Sequence, residues 1–444
     1  MRPGGALPRL WRRPAFRRLL TVRLLSQAAD GTLLVGMASY VLFSPQSQPD
    51  AWAIAGVLAL TLLPFTFLGP FLSTYLDRWP RRQVAVLSDM ARAVLAAVVG
   101  VLIATSSTGG WWQVVLFGSL LVAMSINRFM LAGLSAGVPH TVEPDEYLTA
   151  SAILPTLGPI GVVVGGVLGF SSRALLSGAL GADGANAVVF LVAAGLFASS
   201  VLVCRGFGRD ALGPEPGGPA SASATEVLAG LTDAVAHLRA RPAPAVGLVV
   251  MGFTRLLFGL LSVLTILAFR NRFRAGDPTA ALADLTLWGL LTGAGFILAS
   301  PLVPLLVRAL GLGRTLIVTL GLGAMASLAM AAAPVPGVIL GVGFAVGLAV
   351  QCGKICVDAL VQAHVDDGVK GRAFVLYDVL YNSAFVLAAV VAAVWFPADG
   401  VAPPGIAAIA AAHLLVACGF ALARTRIGRD VFERGTEDLT GRGA

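Results

Sequence analysis

Six charged residues stand inside stretches of this chain that are otherwise apolar: Asp30, Arg128, Arg255, Lys354, Asp358 and Asp378. A charged side chain at the centre of a bilayer costs at least ~2.5 kcal/mol, so it faces either an opposite charge or a wet cavity. A carboxylate held there can load and release a proton, because desolvation favours its neutral form and a nearby guanidinium its ionised form. Asp30 shares one helical stripe with Arg23, Ser26 and Gln27, while Lys354 and Asp358 share another with Gln351 and Gln362. Two chemistries fit these groups. One is proton coupling, with Asp30 and Arg128 as the leading pair. The other is static locking of helices, by Lys354 with Asp358 one turn on or with Asp378. Asp89 and Arg92 fall nearer a loop and read as structural, and His413 as a packed histidine.

Two further patterns carry physical meaning. Residues 73–82 read Ser73-Thr-Tyr-Leu-Asp77-Arg78-Trp-Pro-Arg81-Arg82, one acid followed by three arginines in a short loop. Residues 158–169 hold Gly158, Pro159, Gly161, Gly165, Gly166 and Gly169, with Gly161, Gly165 and Gly169 on one face. Small residues at that period let two helices approach closely. Cys204, Cys352, Cys356 and Cys418 lie in or at the end of apolar stretches with no histidine beside them, so they read as packing residues and no metal or cofactor is expected. There is no strand-elbow serine, no HExxH and no GxxxxGK[ST] loop, and the chain is not read as an enzyme.

The elements that position these residues follow from composition. Of 444 residues, 57% are hydrophobic and only 12% charged, against ~25% charged in soluble domains. The apolar residues fall in blocks of about twenty, the length a helix needs to cross ~30 Å of hydrocarbon. The reading is an all-α integral membrane protein with spans near 19–43, 51–75, 83–106, 112–136, 148–170, 187–204, 243–269, 281–307, 315–333, 336–362, 372–395 and 403–424. The stretch RRPAFRRLL imitates an export signal, but the span after it is too long and lacks an A-x-A cleavage site, so it is read as a retained anchor.

A net charge of +8 does not indicate nucleic acid here, because the basic residues sit in short loops between apolar spans. Of the 31 Lys and Arg residues, about 22 fall in loops on one side and about four on the other. That bias places both termini in the cytoplasm, in the inner membrane. Residues 205–242 begin as a Gly/Pro/Ser-rich linker and then turn amphipathic, with Val227, Leu228, Leu231, Val235 and Leu238 on one stripe, a helix expected at the inner membrane surface. This divides the chain into 1–204, a linker at 205–242, 243–424 and a tail at 425–444. The two halves read as repeats, with His140 in PHTVEPDEY and His364 in AHVDDGVKGR at matching places.

The loop at 73–82 resembles the major facilitator signature G-x-L-x-D-R-x-G-R-[K/R], with Ser73 and Pro80 in place of its two glycines and Asp77, Arg78, Arg81 and Arg82 kept. The corresponding later loop keeps Arg308 and Arg314 but has Val307 where the acid would be. The glycines at 158–166 resemble the glycine-proline motif of facilitator antiporters, with altered spacing. RLLSQAADG, INRFMLAGLSAGVPH and KICVDALVQAHVDDGVKGRAF are similar to actinobacterial permeases of the group that includes the enterobactin exporter.

The resemblance implies twelve helices in two pseudo-symmetric six-helix bundles, a cavity lined by helices 1, 4, 7 and 10, and Asp77 with its arginines as a latch on the inner helix ends. Each of those four helices carries one of the charges above. The function it implies is a monomeric, proton-coupled antiporter that exports a small amphiphilic molecule by alternating access, with protons and the lipid bilayer as its other partners. A nutrient importer or uniporter, and a non-transporting scaffold or receptor, are the alternatives.

Overall fold

A computed structural model describes residues 6–43, 52, 56, 79–105, 111–143, 146–213 and 224–433. Among these residues the regular structure is all helical. The helices are α1 (Ala6–Arg12), α2 (Pro14–Phe43), α3 (Arg81–Ala104), α4 (Trp111–Gly137), α5 (Tyr147–Arg205), α6 (Ala224–Arg239), α7 (Pro242–Leu267), α8 (Pro278–Leu310), α9 (Leu312–Ala332), α10 (Pro336–His364), α11 (Asp367–Trp395), α12 (Pro403–Ile427) and α13 (Arg429–Glu433). Prolines open α7, α8, α10 and α12, where the missing N–H is one of the helix's unpaired donors anyway. Two compact units result, one within residues 1–47 and 67–227 and the other taking the chain from Leu228 onward.

Nine described stretches are long and apolar enough to cross a membrane. One of them, Leu157–Arg205, has 49 residues, roughly 70 Å of helix and more than twice the hydrocarbon thickness. Its continuity corrects the sequence reading, which put a loop at 171–186. The helix is broken only at Gly181, with φ 70° and ψ 177°, a conformation open to glycine alone. The Ala- and Leu-rich flanks stay helical right up to it. Arg173, expected in an outside loop, is instead helical and 3% exposed, and its Nε donates to Asn186 Oδ1 at 2.9 Å across the break. The two limbs of α5 run in opposite directions along α2. Gly161, Gly165 and Gly169 meet Leu24, Ala28 and Thr32 in ascending order, whereas Phe190 meets Gly36 and Ser200 meets Val22. With α2, α3, α4, both limbs of α5 and α7 to α12, eleven of the twelve expected spans have their helices; the span at 51–75 lies outside the described residues.

The glycine stripe explains how tightly α2 and α5 pack. A Cβ at Gly165 would collide with the carbonyl oxygen of Ala28, and one at Gly161 would lie 2.8 Å from the Leu24 carbonyl. The Thr32 hydroxyl donates to the Gly165 carbonyl at 2.8 Å. Gly158 faces the Arg23 guanidinium, a Cβ at Gly166 would touch only Val35, and Pro159 is exposed.

In the second unit α8 and α10 run parallel through Trp288 with Gly343 and Thr292 with Gly347. There α9 and α12 run antiparallel through Gly313 with Arg424 and Gly323 with His413. The amphipathic segment of the linker is α6, whose Leu238 joins the hydrophobic core of this unit.

Candidate functional site

In the first unit Asp30 is 3% exposed, and its cation is Arg92 of α3, itself fully buried. The sequence reading paired Asp30 with Arg128; Arg128 belongs to α4, and its side chain lies outside the described ones. Arg92 donates from Nη2 to Asp30 and from Nη1 to Asp89 Oδ1 at 3.0 Å and Ser26 Oγ at 3.0 Å. Gln27 Nε2 donates to the other Asp30 oxygen at 2.8 Å. Asp89 is 1% exposed; Ser26 donates to its Oδ1 at 3.0 Å and Ser200 to its Oδ2 at 2.6 Å. The Phe197 ring lies 4.1 Å from the Arg92 guanidinium carbon.

Asp89 and Arg92, read from sequence as structural residues near the surface, therefore belong to the central network. A signal was present: both fall on the small-residue stripe Ala85, Asp89, Arg92, Ala96, Val99 that α3 buries. Two carboxylates touch a single guanidinium here. The second cation of the stripe, Arg23, donates to Ser135 Oγ at 3.5 Å and forms no ion pair among the described residues. Such a cluster carries surplus negative charge in a low dielectric, and one proton neutralises it.

The second unit holds the other candidates. Lys354 and Asp358 form an intrahelical pair at 2.9 Å on α10, and the Lys354 ammonium lies 5.0 Å from the Tyr377 ring. The guanidinium of Arg255 on α7 lies 4.2 Å from the rings of both Tyr381 and Phe385, which are one turn apart on α11. Asp378 on α11 is exposed.

Arginines staple the basic ends of the first unit's helices. Arg81 donates to the carbonyls of Ala136 at 2.8 Å and Leu212 at 3.2 Å and lies 3.1 Å from His140 Nε2. Arg82 donates to the Arg205 carbonyl at 3.1 Å and Arg18 to that of Gly206 at 2.5 Å. The Ala136, Arg205 and Gly206 carbonyls are unpaired groups at the negative ends of α4 and α5, where a cation is favoured twice over, while Leu212 lies in the loop after α5. Arg13 pairs with Glu143 at 2.7 Å and Glu146 at 2.6 Å, and hydrogen bonding to these carboxylates, Glu143 first, holds its pKa above the usual guanidinium value.

Residues 19–389 match the Major Facilitator Superfamily. The chain belongs to the major facilitator superfamily. It is 34% identical over 392 residues to an uncharacterised MFS-type transporter of Mycobacterium tuberculosis, covering 88% of this chain and 87% of that one. The counterpart in Mycobacterium bovis matches with the same figures. Among solved structures it is similar to the nucleoside transporter NupG, with TM-score 0.66, 15% identity and 92% and 99% of the two chains covered. It is also similar to a bacterial homologue of the iron transporter ferroportin in the inward-facing state, with TM-score 0.65, 18% identity and 92% and 98% covered.

As a member of this superfamily the chain is a multi-pass membrane transporter. Of its facilitator signature, Arg81 and Arg82 take the positions just described, while Asp77 and Arg78 lie outside the described residues. The two repeat histidines make comparable contacts: His140 packs on Gly213 after α5, and His364 Nε2 lies 2.9 Å from the Val431 carbonyl after α12.

Proposed function

We propose that this facilitator is a monomeric, proton-coupled antiporter of the inner membrane that exports a small amphiphilic molecule, with both termini cytoplasmic. The observation that carries the reading is the buried cluster of Asp30, Asp89 and Arg92. One proton is shared over the two carboxylates while Arg92 bridges them; releasing it leaves a surplus charge that favours a rearrangement of α2 against α3. The groups facing the cluster set its balance: Arg23 and Gln27 from α2, Met130 from α4, and Ser200 and Cys204 from α5, with Arg82 of α3 near Cys204. A ligand can shift such an equilibrium only by binding one state better, so proton and cargo exchange by favouring opposite states. Arg81 and Arg82, with Asp77 and Arg78, bias the same equilibrium from the inner rim.

The test is flux in proteoliposomes with and without an imposed pH gradient. Asp30→Asn mimics the protonated carboxylate, so it should keep downhill exchange and lose gradient-driven accumulation. Accumulation at the wild-type level in this variant rules out Asp30 as part of the coupling site. Inward rather than outward accumulation, with the gradient's sign reversed accordingly, identifies an importer.

A further inference from the structure

Of the two cations among the six intramembrane candidates whose side chains are described, Lys354 faces a carboxylate and Arg255 has no ion pair among the described residues. Asp30 is met by Arg92, and Lys354 by Asp358. Arg255 has only rings: Tyr381 and Phe385 at 4.2 Å and Phe258 at 5.1 Å. Its Nε is buried without a hydrogen-bond partner, and the groups that act on it electrostatically are the phenols of Tyr381 and Tyr377 rather than a carboxylate. The residue as a whole is nevertheless only partly buried, and it lines a cleft.

The geometry has a direction. A guanidinium laid against aromatic rings is stabilised through its face, and its N–H donors all lie in the plane of the edge. The edge is the part that matches a carboxylate with two parallel hydrogen bonds. Arg255 opens on a narrow cleft lined also by Thr254, Gly353, Lys354 and Tyr381, whose walls are otherwise apolar. The cleft has room for about one water, so a cargo's charged end reaches Arg255 while its bulk lies outside. Lys354 is already neutralised by Asp358, which leaves the cleft one positive charge in excess.

We infer that Arg255 is the anchor for a carboxylate on the cargo, and that the cargo class is an amphiphilic monocarboxylate with an aromatic or aliphatic body. The inference rests on the transport reading above and narrows it from an amphiphile of any charge.

Binding tests it without any gradient. Purified protein in phosphatidylcholine nanodiscs is titrated with 4-phenylbutyrate, 1-naphthylacetate and decanoate, and with the primary amide of each, following thermal unfolding. The acids should stabilise the wild type at concentrations at least about tenfold below the amides, the gain of a charge-assisted bidentate bond over a neutral one. Arg255→Gln should erase that preference, and Arg255→Lys should keep part of it, since an ammonium lacks the fork. The proposal falls if the acids do not stabilise the wild type better than the amides, or if Arg255→Gln responds as wild type. If Arg255→Gln does not yield folded protein, wild-type acid affinity in Arg255→Lys overturns it instead. Discs containing phosphatidylglycerol that abolish the acid effect identify the anion as a lipid headgroup and overturn the cargo assignment. Acid binding without proton-driven flux retires coupled transport and leaves the anion site standing; the reverse retires the site alone.

Discussion

Arg92 of α3 and Asp30 of α2 form an ion pair in which the arginine is fully buried and the aspartate side chain is 5% exposed. The same guanidinium holds Asp89, three residues before it in sequence. Its removal leaves two carboxylates without a cation, and breaking a buried pair from one side costs about 3–5 kcal/mol.

Arg92→Met should therefore lower the unfolding temperature of the purified protein sharply or abolish its folding. The triple variant Arg92→Met, Asp30→Asn, Asp89→Asn should recover most of the loss, because no unpaired charge is left. Equal instability of the single and triple variants would mean that shape, not charge, dominates the site.

The close approach of α2 and α5 gives a second expectation. Gly165→Leu drives a side chain into the Ala28 backbone and should destabilise by roughly 3 kcal/mol or more, beyond ordinary overpacking. Gly178→Ala, also helical but with nothing near its Cβ, should be neutral or stabilising by about 0.5–1 kcal/mol. Comparing the two in the same detergent separates a packing contact from a general intolerance of glycine replacement.

In the facilitator signature, Arg81→Ala or Asp77→Asn should reduce turnover at least about tenfold, a shift of ~1.4 kcal/mol in the barrier or in the conformational equilibrium. Folded yield and ligand-induced stabilisation should stay near wild type. Unchanged flux in both variants would reduce the signature to a charged loop.

The carboxy-terminal end makes its own rim contact. Glu433 accepts from the Leu312 N–H at 2.7 Å and from Arg424 at 2.8 Å, which caps α9 beside Gly311 at φ 80°. Glu433→Ala should lower stability by about 1 kcal/mol, the usual value of a cap, and leave Phe432 without its tether. A Tm unchanged from wild type would show the cap to be dispensable.

Orientation can be read by labelling. Cys204, Cys352 and Cys356 are buried and Cys418 is exposed, so replacing Cys418 first removes the main background. In intact cells Ala398→Cys should then react with an impermeant maleimide, and Arg209→Cys should not. The opposite pattern reverses the topology.

Much of this protein is legible in one dimension. Whether a segment crosses a bilayer depends on a sum over about twenty consecutive residues, which is a local quantity. The candidates Asp30, Arg255, Lys354 and Asp358 were visible for the same reason, since a charge in an apolar run stands out. The i,i+4 pair of Lys354 and Asp358 needed only the period of one helix. The glycines at 161, 165 and 169 announced a close contact, though not that its partner would be the backbone at Leu24 to Thr32.

What the tertiary structure decided was company. Asp30 takes its cation from α3, 62 positions along the chain, and Arg255 takes aromatic faces from α11 in place of an acid. Each outcome depends on the rotation of several helices at once, and a slip of one residue turns a side chain by ~100° about its axis. Composition leaves that angle open. It is set by the close packing of small residues such as Gly165 and by the single left-handed reversal at Gly181 that folds α5 back along α2.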